Sequence, residues 1–267
     1  MDALHEKLDA LREELRRLDR VAVAFSAGVD STFLLKVAHD TLGAQAIAVT
    51  ARSCLFPARE TEEARAFCRR EGIEQIIAAY DPLAVEGFRD NPPDRCYRCK
   101  RALFARFSEI AKERGAALAE GSNLDDECDY RPGMRAVAEL GVASPLRAAG
   151  MTKSDVRALS RELGLPTWNK PSFACLASRF AYGEPITAER LTIVDAAEQR
   201  LLSLGFEQFR VRVHGDLARV EVLPEDMPRL IDHAPALHTA LRALGFRYVA
   251  LDLGGYRSGS MNRALEI

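Results

Sequence analysis

The sequence predicts an α/β fold, a doubly wound parallel sheet followed by a smaller C-terminal α+β unit, and three observations carry that expectation. Short apolar runs alternate with amphipathic helical runs from residue 21 to about residue 120, the rhythm of parallel strands joined by crossover helices. The first apolar run, Val21–Phe25, leads at once into the small-residue loop Ser26–Ser31 and then a helical run. From Thr187 the rhythm changes to a helix, two adjacent strands, short helices and a last strand.

Taken in order, Leu4, Leu8, Leu11, Leu15 and Leu18 recur at four-three spacing and form one apolar stripe of an amphipathic helix. Strands are expected at 21–25, 46–50, 76–79 and 116–120, with helices at 31–42, 59–70 and 100–114 between them. Residues 81–99 hold prolines and read as a loop. Thr152 is the N-cap of a helix 153–163 that Gly164 and Pro166 close. Residues 168–185 read as irregular. A helix at 187–204 and strands at 208–213, 217–222 and 247–252 make the second unit, with a ferredoxin-like arrangement expected. The domain boundary is expected after residue 180, giving 1–180 and 181–267.

A chain of 267 residues, 48% hydrophobic and 28% charged, can bury a sizeable core. No apolar run approaches the ~20 residues of a membrane span, and the charged N-terminus does not read as a signal peptide, so the cytoplasm is the expected compartment. A net charge of −2 gives no general attraction for nucleic acid. With 31 Arg against 6 Lys, a single arginine says little, whereas Lys100, Lys153 and Lys170 stand out. Six cysteines in such a chain point to metal ligands, nucleophiles or core fillers before disulfides.

The loop Ser26-Ala27-Gly28-Val29-Asp30-Ser31, between a strand and a helix N-terminus, is an anion site. Ser26, Ser31 and Thr32 add hydroxyls, and Asp30 can hold the Mg²⁺ that accompanies phosphates. Neither a Walker A lysine nor a GxGxxG pattern is present. Ala27 matters if its position needs a positive φ. At the end of the fourth strand, Gly121 and Asn123 are candidates for adenine and ribose contact. Four acids within Asp125–Asp129 crowd there, with Asp125, Asp126 and Asp129 read as metal or substrate contacts. Thr50, ending the second strand, joins the nucleotide-binding candidates.

Cys96-Tyr97-Arg98-Cys99 opens a helix, and Cys175 lies in Ser172–Arg179. Structural zinc wants four ligands and finds no second CxxC. A thioredoxin-like pair lacks its βαβ context. Three thiolates around a 4Fe-4S cluster, or a lone reactive Cys175, remain open. Cys68 reads as core; Cys54 and Cys128 have no assigned role. In the second unit Arg210, Arg212 and His214 alternate along one strand beside Glu221, an anion pocket or a solvated face. Arg257 sits in the small-residue loop Gly254–Asn262.

The first loop resembles the SGGxDS pyrophosphate loop of the ATP pyrophosphatases, with Ala27 in place of a glycine. The Ser144-Pro-Leu146 pair followed by Lys153 echoes synthetases of that kind, in which a lysine approaches the phosphates. FSAGVDS at 25–31, RCYRCK at 95–100, GSNxDDxxDYRPG at 121–133, KPSxACLASR at 170–179 and GYRSGSMN at 255–262 together resemble the LarE family of ATP-dependent sulfur transferases over nearly the whole chain.

The resemblance implies an adenine nucleotide alpha hydrolase-like fold and a definite chemistry. ATP adenylates a carboxylate of pyridinium-3,5-biscarboxylic acid mononucleotide, pyrophosphate leaves, and a sulfur nucleophile gives a thiocarboxylate. In one branch a cysteine at the position of Cys175 gives up its own sulfur. In another, three cysteines hold a 4Fe-4S cluster, and Cys96, Cys99 and Cys175 place this chain with that branch. By the same resemblance Arg179, Arg210, Arg212 and Glu221 line the substrate pocket, and the chain forms homo-oligomers, commonly hexamers. Other readings are a tRNA thiolase, an ammonia-using amidating synthetase, or a nucleotide-binding module without catalysis.

Overall fold

The structure, a computed structural model, describes residues 3–128, 132–171 and 174–257. The chain divides into two compact units, residues 1–80 with 96–172, and residues 81–95 with 173–267. This division differs from the boundary expected after residue 180. Residues 81–95, read as a loop of the first domain, bond within the second unit: Gly183 N donates to Asn91 O at 3.0 Å and Ile186 N to Arg89 O at 2.8 Å. Asn91 is fully buried and donates its side-chain amide to Ala181 O at 2.6 Å. Such long-range pairing leaves no mark on local composition.

In the first unit, α1 (Ala3–Leu18), β1 (Val21–Ala24), α2 (Val29–Leu42), β2 (Ala46–Arg52), α3 (Ala58–Glu71), β3 (Gln75–Ala79), α4 (Arg95–Glu113), β4 (Ala117–Ala119), α5 (Pro132–Glu139), α6 (Pro145–Ala148) and α7 (Lys153–Glu162) follow in turn. The strands form one parallel sheet of order β3-β2-β1-β4, with β1 central. Alternation along β1 sends Val21 and Val23 to one apolar layer and Ala22 to the other, so both faces need cover. The first layer takes the stripe Leu8, Leu11 and Leu15 of α1, most of the buried side of α2, and Phe67 of α3. The second takes Phe104, Phe107 and Ile110 of α4 with Val137 of α5. Helices on both faces make the sheet doubly wound, as the sequence predicts.

Differences are confined to ends and to α5 and α6, which sequence periodicity did not reveal. Helix α4 begins at Arg95, so both thiols of the CxxC lie inside it, where the expected helix began at 100. Thr152 caps α7 in a full capping box with Asp155. Just beyond α7, Trp168 N donates to Leu165 O at 3.2 Å, and the Arg161 guanidinium sits 5.2 Å from the Trp168 ring centre.

The second unit holds α8 (Ala188–Ser203), β5 (Phe209–His214), β6 (Leu217–Val222), α9 (Met227–Asp232), α10 (Ala234–Ala243) and β7 (Tyr248–Leu251). Strands β5 and β6 are antiparallel, and β7 joins β6 in parallel. Among the described residues the sheet therefore has three strands in the order β5-β6-β7, not a ferredoxin-like four. Its apolar side, with Val211, Val213, Val220 and Val222, is buried, as are Leu191, Val194 and Leu201 of α8 and Leu237 and Leu241 of α10. Among the described residues no helix is long and apolar enough to cross a membrane.

The stripe of α1 is core, not a free docking face: Leu11 and Leu15 are fully buried. Replacing Leu15 with Ala should lower unfolding free energy by about 2–4 kcal/mol, the cost of lost burial and a residual cavity, measured by chemical denaturation.

Candidate nucleotide, thiol and anion sites

The carboxyl ends of β1, β2 and β4 open into a cavity of about 280 Å³ in the first unit. In parallel sheets of this kind ligands bind at that edge. Its lining combines Ser26, Gly28, Asp30 and Ser31 of the loop and Gly121, Ser122 and Asp126 with the apolar side chains of Phe56, Leu103, Phe104 and Phe107. Thr50 lines it too, its hydroxyl accepting from Gln75 Nε2 at 2.9 Å. Gly121 permits a close approach, because a Cβ there would lie 3.1 Å from Ser31 N and 3.2 Å from Asp30 Cβ and would press the start of α2 outward by a few tenths of an ångström. The end of β4 thus touches the first turn of α2.

Asp30, in that first turn, is held from two sides. Asn123 Nδ2 donates to Oδ1 at 3.1 Å, and the Lys153 ammonium pairs with Oδ2. Lys153 N donates to Asp125 Oδ2 at 2.9 Å, Asp125 N donates to Asn123 Oδ1 at 3.0 Å, and Asn123 N donates to Asp126 Oδ2 at 3.0 Å. Five sequence-predicted residues, Asp30, Asn123, Asp125, Asp126 and Lys153, thereby form one network. Asp30 and Asp126 put carboxylate oxygens on one cavity, a donor set that suits a hard cation such as Mg²⁺. Thr32 differs from its expected role: it is fully buried and does not line the cavity. Ala27 is 2% exposed with φ 54°, the left-handed region, so the substitution of Ala for Gly at this position carries strain.

Cys96 and Cys99 stand one helical turn apart in the first turns of α4, both half-buried. Tyr80, one residue beyond β3, reaches Cys99: its hydroxyl is 2.9 Å from Cys99 O and 3.4 Å from Cys99 Sγ. Tyr97 between the two thiols donates to Glu139 Oε2 of α5 at 2.7 Å, under the Arg135 guanidinium at 3.7 Å. Cys175 belongs to the second unit, half-buried at the N-terminus of a short turn, Leu176–Arg179. All three are thiols and none is in a disulfide. Their donor chemistry suits iron and sulfide, yet among the described residues no three His, Cys, Asp or Glu side chains gather as a metal site. Burial pushes the Cys68 thiol up to about 12, as its core assignment requires.

In the second unit Arg210, Arg212 and Glu221 share one sheet face, as alternation predicts, with Arg210 opposite Glu221 in the register. Arg212 pairs with Glu221 at 3.0 Å and donates to Ser178 O at 2.9 Å. Arg210 lies over the Tyr256 ring, 4.9 Å from its centre. Burial, reinforced by the Arg179 charge, pulls Arg210 down to about 10, which still leaves it cationic at neutral pH. Burial, with the Arg219 charge beside it, holds His214 below its ordinary value, so the third group of the face is neutral at pH 7. Arg179 is directed at protein acceptors: it grips Glu198 at 2.8 and 2.9 Å and donates to Cys175 O at 3.0 Å and to Ala174 O. Arg257 is exposed.

Sequence reasoning missed Glu198, although the signal was there: an acid at 198 continues the buried spacing Leu191, Val194, Leu201 of α8. It also missed Glu120, a buried carboxylate on the cavity that accepts from Ser122 Oγ at 2.7 Å and Ser144 Oγ at 2.6 Å. Asp129, residues 172–173 and 258–262 of the motifs lie outside the described residues.

No family model matches the chain. Among curated proteins it is 42% identical over 267 residues to pyridinium-3,5-bisthiocarboxylic acid mononucleotide synthase of Lactiplantibacillus plantarum, covering 99% of this chain and 97% of that one. It is 42% identical over 265 residues to an uncharacterized protein of Synechocystis, covering 98% and 99%. A tRNA-specific 2-thiouridylase of Azorhizobium caulinodans is 30% identical over 190 residues, 57% of this chain and 49% of that enzyme. The partial match stays within the pyrophosphatase-loop superfamily, whereas the full-length match and the loop geometry agree on something narrower. The chain belongs to the LarE family of pyridinium-3,5-bisthiocarboxylic acid mononucleotide synthases, enzymes of that superfamily.

Proposed function

We propose that this chain is an ATP-dependent sulfur transferase that adenylates a carboxylate of pyridinium-3,5-biscarboxylic acid mononucleotide and turns it into a thiocarboxylate. The cavity carries the reading: a lining that joins an anion loop, the carboxylates of Asp30 and Asp126 and aromatic side chains suits a nucleoside triphosphate with Mg²⁺. The full-length likeness to the Lactiplantibacillus synthase supplies the substrate class.

A free carboxylate is a poor electrophile. Its oxygen attacks the α-phosphorus of ATP, the bond to the β-phosphate breaks, and pyrophosphate leaves with the electron pair. The amides at the start of α2 and the Lys153 ammonium offset the charge that gathers on that leaving group. Asp30 and Asp126 would hold the Mg²⁺, which supplies further neutralisation when bound. A sulfur nucleophile then attacks the acyl carbon of the mixed anhydride and AMP departs. Arg210 and Arg212, with Arg257, supply the positive charge for the mononucleotide phosphate and carboxylates, and Glu221 fixes the plane of Arg212.

For the sulfur source, a 4Fe-4S cluster on Cys96, Cys99 and Cys175 would supply sulfide. A second reading has Cys175 give up its own sulfur without a cluster. Assembly as a homo-oligomer, with hexamers as the family form, and a cytoplasmic setting complete the proposal.

Anaerobic purification followed by iron and sulfide analysis separates the two sources. About four irons per chain, lost on replacing Cys96, Cys99 or Cys175 with Ala, supports the cluster. A protein that loses the mass of hydrogen sulfide during turnover supports the sacrificial route. In either case Cys175→Ala should abolish thiocarboxylate formation, followed by mass spectrometry, while pyrophosphate release persists. Unchanged thiocarboxylate yield would remove sulfur transfer through Cys175.

Gly121→Ala presses a methyl against the start of α2 at 3.1–3.2 Å. It should raise KM for ATP about tenfold or more and cost about 1–3 kcal/mol of stability, read from pyrophosphate release and denaturant unfolding.

A further inference from the structure

The geometry points to Lys170 as a positioning residue of the anion loop, an ammonium that grips the Ala27 carbonyl and keeps Ala27 in its left-handed conformation. The inference rests on the reading of this loop as the pyrophosphate site and adds the residue that holds its shape.

An L-residue at φ 54° sits in the left-handed region, which its Cβ disfavours, so contacts around it must hold Ala27 there. Lys170 Nζ donates to Ala27 O at 2.9 Å. In a planar trans peptide the carbonyl of one residue and the N–H of the next point in opposite directions. Gripping Ala27 O from behind therefore aims the Gly28 N–H the other way, and Gly28 lines the cavity. Its backbone, φ −82° and ψ 170°, is extended, so the change of sign at Ala27 is what shapes the concavity.

The grip is itself supported. Lys170 also pairs with Glu63 of α3, and its side chain is 19% exposed. Lys170 N donates to Thr167 O at 2.9 Å, Arg157 Nη2 to Lys170 O at 3.4 Å, and Arg157 Nη1 to Asn169 Oδ1 at 3.2 Å. Two lysines thus meet the loop by different handles. Lys153, the first residue of α7, takes the Asp30 carboxylate; Lys170, beyond that helix, takes a backbone carbonyl. The first acts on a side-chain carboxylate of the loop. The second acts through Ala27.

A double-mutant cycle tests this, with inorganic pyrophosphate and Mg²⁺ as the calorimetric probe. Lys170→Met should weaken pyrophosphate binding about tenfold, and Lys170→Arg should return it to within about threefold of wild type. Ala27→Gly removes the Cβ penalty, so in that background Lys170→Met should cost less than about threefold. An equal loss in both backgrounds, or no loss in the original one, overturns the proposal. The same four proteins are unfolded with denaturant, which keeps the question decidable if the lysine variant folds poorly. Ala27→Gly should offset part of the loss in midpoint caused by Lys170→Met, and strictly additive midpoints count against the grip. Should wild type fail to bind pyrophosphate, the reading of the site falls, and the role of Lys170 is then decided by the unfolding coupling alone.

Discussion

The first unit turns on a steric constraint at the carboxyl edge of its sheet. The end of β4 comes so close to the first turn of α2 that a Cβ on Gly121 would meet its backbone at 3.1–3.2 Å, a tighter fit than ordinary packing. That approach lets Asn123, just beyond β4, reach Asp30 in α2 at 3.1 Å. Through Asn123 it also orders Asp125 and Asp126, and through Asp125 the amide of Lys153. Asp125 and Asp126 of the crowded run each accept from a backbone N–H, while the Asn123 amide and the Lys153 ammonium take the two oxygens of Asp30. The acidity that looked costly in the sequence is the framework of the proposed nucleotide site.

Much of this was legible from one dimension, since the relevant physics is local. Alternation along β1, the heptad-like stripe of α1, the capping box at Thr152 and the small-residue loop before α2 each follow from a few neighbouring residues. Alternation also placed Arg210, Arg212 and Glu221 on one face of the second sheet. What escaped was non-local. Residues 81–95 join the second unit through hydrogen bonds to residues some ninety positions away. Lys170 meets Ala27 across 143 residues, and Arg179 meets Glu198 from the next helix. Periodicity carries no information on such partners, though a lone acid at a core spacing was a usable clue.

Charge is handled differently in the two units. In the first unit the Lys153–Asp30 pair is partly open to water, where such pairs are screened and weak. In the second unit Arg179–Glu198 and Arg212–Glu221 are almost wholly buried. Pairs of that kind are costly to break because the orphaned charge stays out of water. They read as fixed scaffolding: Arg179 presents the carbonyls of Ala174 and Cys175, and Arg212 that of Ser178, in one set conformation. The thiol of Cys175 is therefore mounted on a rigid base, while the electrostatics of activation stay adjustable.

Trp168 is the single tryptophan of the chain, 38% exposed, flanked by Arg161 and two residues before Lys170. An indole under a cation, at the start of the stretch that leads from the anion loop to Cys175, is an intrinsic optical probe that needs no label. Its emission reports on the surroundings of Lys170 and hence on the backbone of the small-residue loop that Lys170 touches, against a background that no other indole contributes.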